Sequence, residues 1–413
     1  MNNSETSQNA IAYFRSPHTI RERCNFIFNL ALSDQLQHFR YHPEKLEFVA
    51  NFVVDNIIKN YPDLNVPFHS RWRHFEVGNI PRIQTLQKQL NSLSVIKQTQ
   101  AKLDLAIISV LLDAGAGEKW YYQEPETGLI WQRSEGLAVA SYQMFCQGMF
   151  SSDPESPFQA DAVGLIHLTE SQLATGFQVN QNNPLTGIKG RLELLQKLGE
   201  TLYNYPHLFG ENNPRPGKLA DYFLTQTPDN QLSAVTVLTT ILEGLGEIWP
   251  GRLTLNHVNL GDVWYYPGLE ALDSQYPFVP FHKLSQWLTY SLLEPLQDLG
   301  LKIIDLEQLT GLAEYRNGGL CLDLGLLELK DPSLSEKLHK PDSSVIIEWR
   351  SLTIIILDQM AEIIRQKLNL TPLEFPLVKI LQGGTWNAGR EIAKQRRFDS
   401  SPPLKLDSDG TVF

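Results

Sequence analysis

Apolar residues recur at intervals of three and four along most of the chain, the spacing that places them on one face of an α-helix. Ile20, Cys24 and Ile27 show this period near the N-terminus, where Thr19 and Glu22 have the spacing of a capping box. The same spacing predicts helices over residues 46–58, 103–112, 134–149, 169–177, 192–203, 235–245, 282–293, 344–368 and 387–395.

Segments with β character are few and short. They cover residues 120–122, 129–132, 252–260 and 263–266. We therefore predict a mainly α fold with one or two small β-hairpins, forming a single compact domain over residues 10–413. Residues 212–217 are rich in Asn, Pro and Gly, so we also consider two helical lobes, about 10–211 and 218–413, with the functional site between them.

Charged residues interrupt the most apolar stretch of the chain, residues 345–364, which contains Glu348, Arg350, Asp358 and Glu362. This stretch predicts a buried helix, because a membrane span requires about 20 largely uncharged residues. The first residues, MNNSETSQNAIAYF, lack a basic segment followed by an apolar one, so we expect no signal peptide. The expectation is a cytoplasmic protein that does not bind a membrane.

Acidic residues outnumber basic ones, with 46 Asp and Glu against 35 Lys and Arg and a net charge of -11. A protein that binds nucleic acid needs a basic surface to neutralise phosphates, so we expect no nucleic-acid partner. The three cysteines, Cys24, Cys146 and Cys321, are far apart in sequence. They are typical of small core residues in a reducing compartment, and they predict neither a disulfide framework nor a metal site.

The first candidate for chemistry is the helix that begins in FHKLSQWL, with candidate site residues His282, Lys283, Gln286 and Trp287. Lys283 and Gln286 share a face beside an apolar stripe that includes Trp287, and such residues can line a pocket. The alternative is a lysine that extends its ammonium group into solvent at the start of a helix. A positive charge there opposes the helix dipole, which favours a functional reason for it.

The second candidate is LTGLAEYRNGG, where Glu314, Tyr315 and Arg316 are polar residues in an apolar segment, followed by Asp323. A carboxylate here can act as a general base or stabilise a cationic transition state. The pair Gly318-Gly319 would let the backbone approach a ligand closely. The alternative is an ion pair of Glu314 and Arg316 on the surface.

The third candidate is PFHSRWRHF, with candidate substrate-binding residues His69, Arg71, Trp72, Arg73 and His74. The two arginines could bind a phosphate or carboxylate through paired hydrogen bonds, and the aromatic rings could stack on a planar group. Packing of the aromatic residues in a core explains half of the motif equally well.

A fourth segment, WQRSEG, places Arg133, Ser134 and Glu135 at the predicted start of a helix. Ser134 as a helix cap is the simplest interpretation. Binding of an anion at this helix N-terminus is the alternative, with Arg133 and Glu135 as substrate-binding residues.

Several of these runs together resemble one known family. PFHSRWRHF, SVLLDAGAG, RSEGLAVAS, EGLGEIWPGR, PFHKLSQWL, LTGLAEYRNGG and SDGTVF are similar to the uracil catabolism protein 4 family, over about residues 16–413. The resemblance implies a place in a route of pyrimidine degradation in which uracil becomes a nucleotide and its ring is then opened.

A more distant resemblance suggests the chemistry. The order FHKLSQWL, DLEQLT and AEYRNGG is similar to the queuosine-phosphate N-glycosidase family, which has an α-helical fold related to DNA glycosylases and a catalytic lysine and aspartate. This resemblance implies a helical DNA-glycosylase-like core, with Lys283 and Glu314 at the catalytic positions. Glu314 departs from the pattern, because its carboxylate reaches one methylene further than that of aspartate.

Together these observations predict an N-ribosyl hydrolase that acts on a nucleoside- or nucleotide-derived small molecule: a ribosylated urea or a related ring-opened uridine product, with or without a 5′-phosphate. Glu314 would stabilise the oxocarbenium-like sugar that forms when the C1′–N bond breaks. Lys283 would protonate the departing urea together with Gln286, or would attack the sugar as a free amine. Arg71, Arg73 and Arg316 are candidate ligands of phosphate or hydroxyl groups, with Trp72 or Trp287 as an apolar wall.

Two other functions remain open at this point. The protein could be an amidohydrolase that cleaves the ureide itself, or a non-catalytic binding partner of the enzyme that opens the uracil ring. Pathway enzymes are the macromolecular partners that the resemblance suggests. No metal ion or organic cofactor is expected.

Overall fold

Helices make up most of the protein in a computed structural model, which describes residues 3–113, 115–249 and 252–407. With 57% of the chain in helices, the prediction of a mainly α fold is confirmed. The α-helices, in chain order, are α1 Asn3–Phe14, α2 Pro17–Leu32, α3 Leu46–Asn60, α4 Arg71–Phe75, α5 Arg82–Leu90, α6 Val95–Leu111, α7 Arg133–Cys146, α8 Ala162–Ile166, α9 Glu170–Gly176, α10 Ile188–Leu202, α11 Pro206–Phe209, α12 Leu219–Gln226, α13 Ala234–Leu245, α14 Lys283–Asp298, α15 Tyr315–Asp323, α16 Ser344–Leu368, α17 Leu377–Ile380 and α18 Trp386–Arg396.

The strands form only two-stranded pairs within the described residues. They are β1 Phe39–Tyr41, β2 Tyr121–Gln123, β3 Ile130–Gln132, β4 Gln231–Ser233, β5 Thr254–Leu255, β6 Val258–Asn259, β7 Val263–Tyr265, β8 Phe278–Pro280, β9 Lys302–Ile304, β10 Leu327–Leu329, β11 Leu338–His339 and β12 Lys405–Leu406. The pairs β2–β3, β5–β6 and β7–β8 are local and antiparallel, so there are more small hairpins than predicted. β1–β10, β4–β9 and β11–β12 join distant segments.

The chain divides into two units. The first unit contains residues 3–69, 252–286 and 305–407, and the second contains residues 70–249 and 287–304. The predicted lobe boundary at residues 212–217 lies inside the second unit, where Arg215 forms an ion pair with the buried Asp104. The chain therefore passes between the units four times, whereas the two predicted lobes would be joined once.

In the first unit the long helix α16 is central, with α2, α3 and α15 packed around it. Every residue from 345 to 357 is buried, as expected for a helix that is apolar on all sides. The two charged residues between 345 and 357 have polar partners: Glu348 accepts a hydrogen bond from the Tyr266 hydroxyl, and Arg350 pairs with Asp262. The prediction that residues 345–364 form a buried helix is thereby confirmed.

In the second unit α6 has the corresponding position, and residues 99–111 are all buried. Helices α7 and α12 pack against α6, as does the short turn Pro216–Lys218. Within the described ranges, no helix combines the length and the apolar character that crossing a membrane requires.

Several helix boundaries differ from the sequence prediction, and two of them concern α2 and α14. Helix α2 begins at Pro17 with Ser16 as its cap, because Ser16 accepts a hydrogen bond from the His18 backbone and Pro17 suits the first helical position. Thr19 therefore lies inside the helix and does not cap it. Helix α14 continues to Asp298 and includes Pro295. The closing motif SDGTVF, residues 408–413, lies outside the described residues.

Candidate functional site

Helix α14 places Lys283 at its first residue, and the preceding turn is held from another segment. The Lys283 backbone N–H donates to Asp262 Oδ2 at 3.0 Å, and the Phe281 backbone N–H donates to the Asp262 carbonyl at 2.9 Å. His282 between them has a left-handed backbone with φ of 48°, an unfavourable conformation for a residue other than glycine. Asp262 therefore fixes the start of the helix and gives it a negative charge, which suits the helix dipole.

Glu314 is the N-cap of helix α15. Its side chain accepts hydrogen bonds from the backbone N–H groups of Asn317 at 2.6 Å and Arg316 at 2.7 Å, one on each carboxylate oxygen. The residue is buried, with 6% of its surface exposed. A carboxylate has about four acceptor positions, so two remain beyond those used by the backbone. The cap thus holds a carboxylate rigidly and leaves part of its acceptor capacity for other partners.

Lys283 and Glu314 lie together in the first unit, close enough for the lysine charge to act on the carboxylate. Burial raises the pKa of Glu314 above its ordinary value. The positive charge of Lys283 and the two backbone hydrogen bonds oppose this effect without cancelling it. The structure therefore places a partly exposed lysine within electrostatic range of a buried acid, whose pKa responds to the lysine charge.

Gln286, one turn after Lys283, is buried and holds the segment that leads to Glu314. Its amide nitrogen donates to Thr310 Oγ1 at 2.7 Å and to the Phe281 carbonyl at 3.0 Å, and its amide oxygen accepts from the Thr310 backbone at 2.9 Å. Gln286 therefore lies at the site predicted for it, with its side chain bonded to the protein. Direct contact of Gln286 with a substrate stays a prediction.

Of the other predicted residues in the first unit, some lie around Lys283 and Glu314 and others lie apart from them. Arg316 adds a positive charge near Glu314, lies over the Tyr315 ring at 4.9 Å, and donates to the Ser400 carbonyl at 2.8 Å. The alternative of a Glu314–Arg316 pair on the surface does not describe the structure, because both residues are buried. The ring of His282 is bonded to the Phe14 carbonyl at 2.7 Å, and burial lowers its pKa.

Asp323 and His69 each have protein partners of their own. Asp323 is the last residue of α15, roughly 14 Å along the helix from its N-cap, and forms two hydrogen bonds of 2.6 Å with Arg397. His69 is bonded to Gln382 Oε1 at 2.9 Å and has the Trp386 ring 5.5 Å away.

The rest of PFHSRWRHF belongs to the second unit, where its residues are largely engaged with protein atoms. The Arg71 side chain is fully buried, pairs with Asp113 at 3.1 Å and donates to Ser109 Oγ at 2.7 Å. Burial lowers the pKa of the Arg71 guanidinium, against the charge of Asp113. A role for Arg71 in binding a phosphate stays a prediction.

The residues that follow Arg71 in this motif also contact protein atoms. The Trp72 indole donates to the Ser291 carbonyl at 2.7 Å, and Arg73 pairs with Glu294 at 2.9 Å. The His74 ring lies edge-on to Trp287 at 5.7 Å. Packing thus accounts for the aromatic half of the motif, as the simpler interpretation expected.

The segment WQRSEG also lies in the second unit. Arg133 begins α7 with φ of 54°. Ser134 donates to both oxygens of Asp113, at 2.8 and 2.7 Å, and receives a hydrogen bond from Arg71 at 3.1 Å. The negative charge of Glu135 acts on Arg71. This helix start is therefore part of an internal polar network, and binding of an anion there stays a prediction.

Sequence reasoning missed Asp262 and Arg350. They form two hydrogen bonds of 2.7 Å with each other, and Arg350 also donates to the Ala313 carbonyl beside Glu314. A signal for Arg350 was present, because a charged residue in the middle of a buried apolar helix requires a partner. The identity of that partner, 88 residues earlier in the chain, was not readable from the pattern.

The described residues contain no group of three or more His, Cys, Asp or Glu side chains arranged to hold a metal ion. The cysteines do not offer a nucleophile at ordinary pH. Burial raises the pKa of the Cys24 and Cys321 thiols to about 12 and that of Cys146 to about 11.

The fold and these contacts define a mainly helical protein in which the charge of a lysine at a helix start acts on a buried glutamate that caps another helix. Residues 13–413 match the family described as "Protein of unknown function (DUF1688)", and the chain belongs to this family. It is 38% identical to "Uracil catabolism protein 4" of Lachancea kluyveri, over 99% of this chain and 100% of that protein. It is also 38% identical to "Protein urg3" of Schizosaccharomyces pombe, over 98% of this chain and 100% of that protein.

The resemblance to the uracil catabolism protein 4 family is confirmed by these matches. The more distant resemblance to queuosine-phosphate N-glycosidases, and the glycosylase-like core that it implies, stay predictions.

Proposed function

We propose that this protein is an N-ribosyl hydrolase of uracil catabolism, which cleaves a ribosylated urea or a related ring-opened uridine product to the free sugar and urea. The name of the Lachancea kluyveri relative supports the pathway. One observation supports the chemistry above all: Glu314 is buried, fixed by two backbone N–H groups and subject to the charge of Lys283.

Glu314 is suited to stabilise the positive charge that develops on the sugar during the reaction. When the C1′–N bond breaks, its electron pair leaves with the urea nitrogen and the sugar becomes an oxocarbenium-like cation. A fixed carboxylate stabilises that charge more strongly in a buried site than in water, and it needs no reorganisation as the charge develops. The acceptor capacity that the helix cap leaves on Glu314 can also orient the attacking water.

Lys283 is suited to protonate the leaving group. Urea departs poorly unless its nitrogen is protonated, and an ammonium group can supply that proton. The water oxygen then bonds to C1′, one water proton returns to the Lys283 amine, and the other remains on the new hydroxyl. A neighbouring carboxylate favours the charged form of a lysine, so this role suits the structure better than attack by a free amine.

A direct assay tests the proposal. The purified protein is incubated with ribosylurea, ribosylurea 5′-phosphate, uridine and UMP, and reducing sugar and ammonia are measured separately. We expect sugar release from one of the ribosylureas, and a loss of about 10²-fold or more in Lys283→Met and Glu314→Gln. Ammonia release would instead identify an amidohydrolase, and no turnover of any substrate would favour a binding protein.

A matched control separates loss of chemistry from loss of an ion pair. Lys330 and Asp34 form a lysine–carboxylate pair at 2.8 Å in the same unit, and neither residue belongs to α14 or α15. Lys330→Met and Asp34→Asn should retain sugar release. Borohydride treatment during turnover completes the test, because a trapped protein–sugar adduct would show that Lys283 attacks C1′ as an amine.

A further inference from the structure

One buried ion pair connects the two segments that carry Lys283 and Glu314. The Asp262 carboxylate accepts hydrogen bonds from both terminal nitrogens of Arg350 at 2.7 Å. It also accepts from the Trp264 indole N–H at 2.6 Å and from the Lys283 backbone N–H at 3.0 Å. Burial raises the pKa of the Asp262 carboxyl, but the Arg350 charge and these hydrogen bonds outweigh it and lower the pKa well below the ordinary range. Asp262 is therefore a charged group held from several directions.

Arg350 extends this connection to the other half of the site. Its third nitrogen, Nε, donates at 3.2 Å to the carbonyl of Ala313, the residue directly before Glu314. Its guanidinium also lies 4.1 Å from the centre of the Phe281 ring, two residues before Lys283. One side chain on helix α16 thus contacts the turn that begins α14 and the backbone that leads to the N-cap of α15.

The turn before Lys283 requires such support. The left-handed backbone of His282 is unfavourable for a residue with a side chain, and it persists only where neighbouring contacts enforce it. The contacts that support it here are the hydrogen bonds from Phe281 and Lys283 to Asp262, together with the hydrogen bond between the His282 ring and the Phe14 carbonyl.

We propose that Asp262 and Arg350 are positioning residues, which set the separation of the Lys283 amine and the Glu314 carboxylate. The proposal deepens the proposed function and rests on it for its catalytic meaning. Its structural content stands separately: without the pair, the two segments lose their common anchor, and the mutual influence of the two charges should weaken.

The mutual influence can be measured without a substrate. Lysine side chains are dimethylated with ¹³C-formaldehyde, which keeps their charge, and the Lys283 methyl signal is assigned by its absence in Lys283→Arg. The titration midpoint of the Lys283 methyl signal is then measured in the wild-type protein and in the Glu314→Gln variant. The difference between the two midpoints reports how strongly the carboxylate acts on the amine.

The test variant replaces both members of the pair, Asp262→Asn with Arg350→Met, so that no unpaired charge remains buried. We expect the midpoint difference to fall by at least half. The matched control is Glu124→Gln with Arg82→Met, an equally buried pair with two hydrogen bonds of 2.6 and 2.7 Å in the second unit. The control should retain the difference unchanged.

Milder variants keep the proposal testable if the double variant does not fold. Trp264→Phe removes one donor to Asp262, and Arg350→Lys keeps the charge but cannot reach all its present acceptors. Both variants should reduce the difference between the two titration midpoints, by a smaller amount than the double variant does. A folded variant of any of these three kinds that retains the full difference would overturn the positioning role.

Kinetics then separate this proposal from the proposed function. If sugar release is found, the Asp262→Asn/Arg350→Met variant should lower kcat by about 10²-fold and leave KM nearly unchanged, because misplacement by about 1 Å impairs the chemical step. If the midpoint difference behaves as expected and no substrate is turned over, the proposed function fails and the positioning role stands.

Discussion

At the scale of single residues, Glu314 shows how one side chain can serve the fold and the chemistry together. Asp, Asn, Ser and Thr are the usual helix caps, and a glutamate must bind the same backbone groups with a side chain that is one methylene longer than that of aspartate. Here it does so with both oxygens and remains subject to the charge of Lys283. The cap explains why the carboxylate is fixed. It does not explain why an amine lies beside it.

The pKa of Glu314 should respond to Lys283 in a definite direction. Burial raises this pKa and the lysine charge opposes the rise, so Lys283→Met should raise it further. The carboxylate would then form only at higher pH, and any activity that needs it would be lost earlier on acidification. Lys283→Arg should restore the original value, because it keeps the positive charge.

The measurement is ¹³C NMR of the glutamate carboxyl carbons, with Glu314 assigned by its absence in Glu314→Gln. Lys330→Met is the control, and it should leave the Glu314 signal unchanged. An unchanged or lowered pKa in Lys283→Met would show that the two charges do not act on each other.

At the scale of the elements, the pair of Asp262 and Arg350 should stabilise the first unit in a pH-dependent manner. The pKa of Asp262 is lowered on folding, so its contribution is fully present above the ordinary aspartate value near 4 and is lost as pH falls below it. Asp262→Asn alone leaves Arg350 buried without its partner, which typically costs about 3–5 kcal/mol.

Urea unfolding at several pH values tests this expectation. The free energy of unfolding of Asp262→Asn should be lower than that of the wild type by about 3–5 kcal/mol at pH 7. The difference between the two proteins should narrow between about pH 4 and pH 3, because only the wild type loses stability through this group. A constant difference across this range would mean that Asp262 has the same pKa in the folded and unfolded states.

Elements whose determinants are local were predictable from the sequence. Helix α16 has the predicted bounds, Ser344–Leu368, and α3 and α13 differ from prediction by one or two residues, because their apolar period and end signals lie within the segments themselves. The pairing of β1 with β10 was not predictable. Each strand has three residues, and the two lie far apart in sequence, so neither carries a pattern of its own.

The candidate site was readable from the sequence only in part. Lys283 and Glu314 were candidates from their own segments, and the resemblance joined them into one catalytic pair, which stays a prediction. Their supports, Asp262 and Arg350, were missed because a buried ion pair is a property of the folded chain. Arg71 was noted as unusual, but the sequence could not show that Ser109 binds its Nε and that Ser134 and Asp113 contact its Nη1.

At the scale of the whole molecule, the order of segments along the chain determines which fragments can fold. Each unit combines segments from both halves of the sequence, since the first needs residues 3–69 with 252–286 and 305–407, and the second needs residues 70–249 with 287–304. A cut at the loop of residues 212–217 would follow the weak boundary signal of the sequence. It would also remove α12 and α13 from the second unit and separate Asp104 from Arg215.

Fragments 1–211 and 212–413 expressed separately should therefore not unfold cooperatively, because neither contains a complete unit with its buried core. Co-expressed, they should associate and regain helical content near that of the intact chain, because together they supply every segment of both cores. Circular dichroism with thermal melting, and co-purification through a tag on one fragment, provide the measurements. A cooperative transition in fragment 1–211 alone would show that the interleaved units do not govern folding, and that the simpler division into two consecutive lobes describes the energetics better.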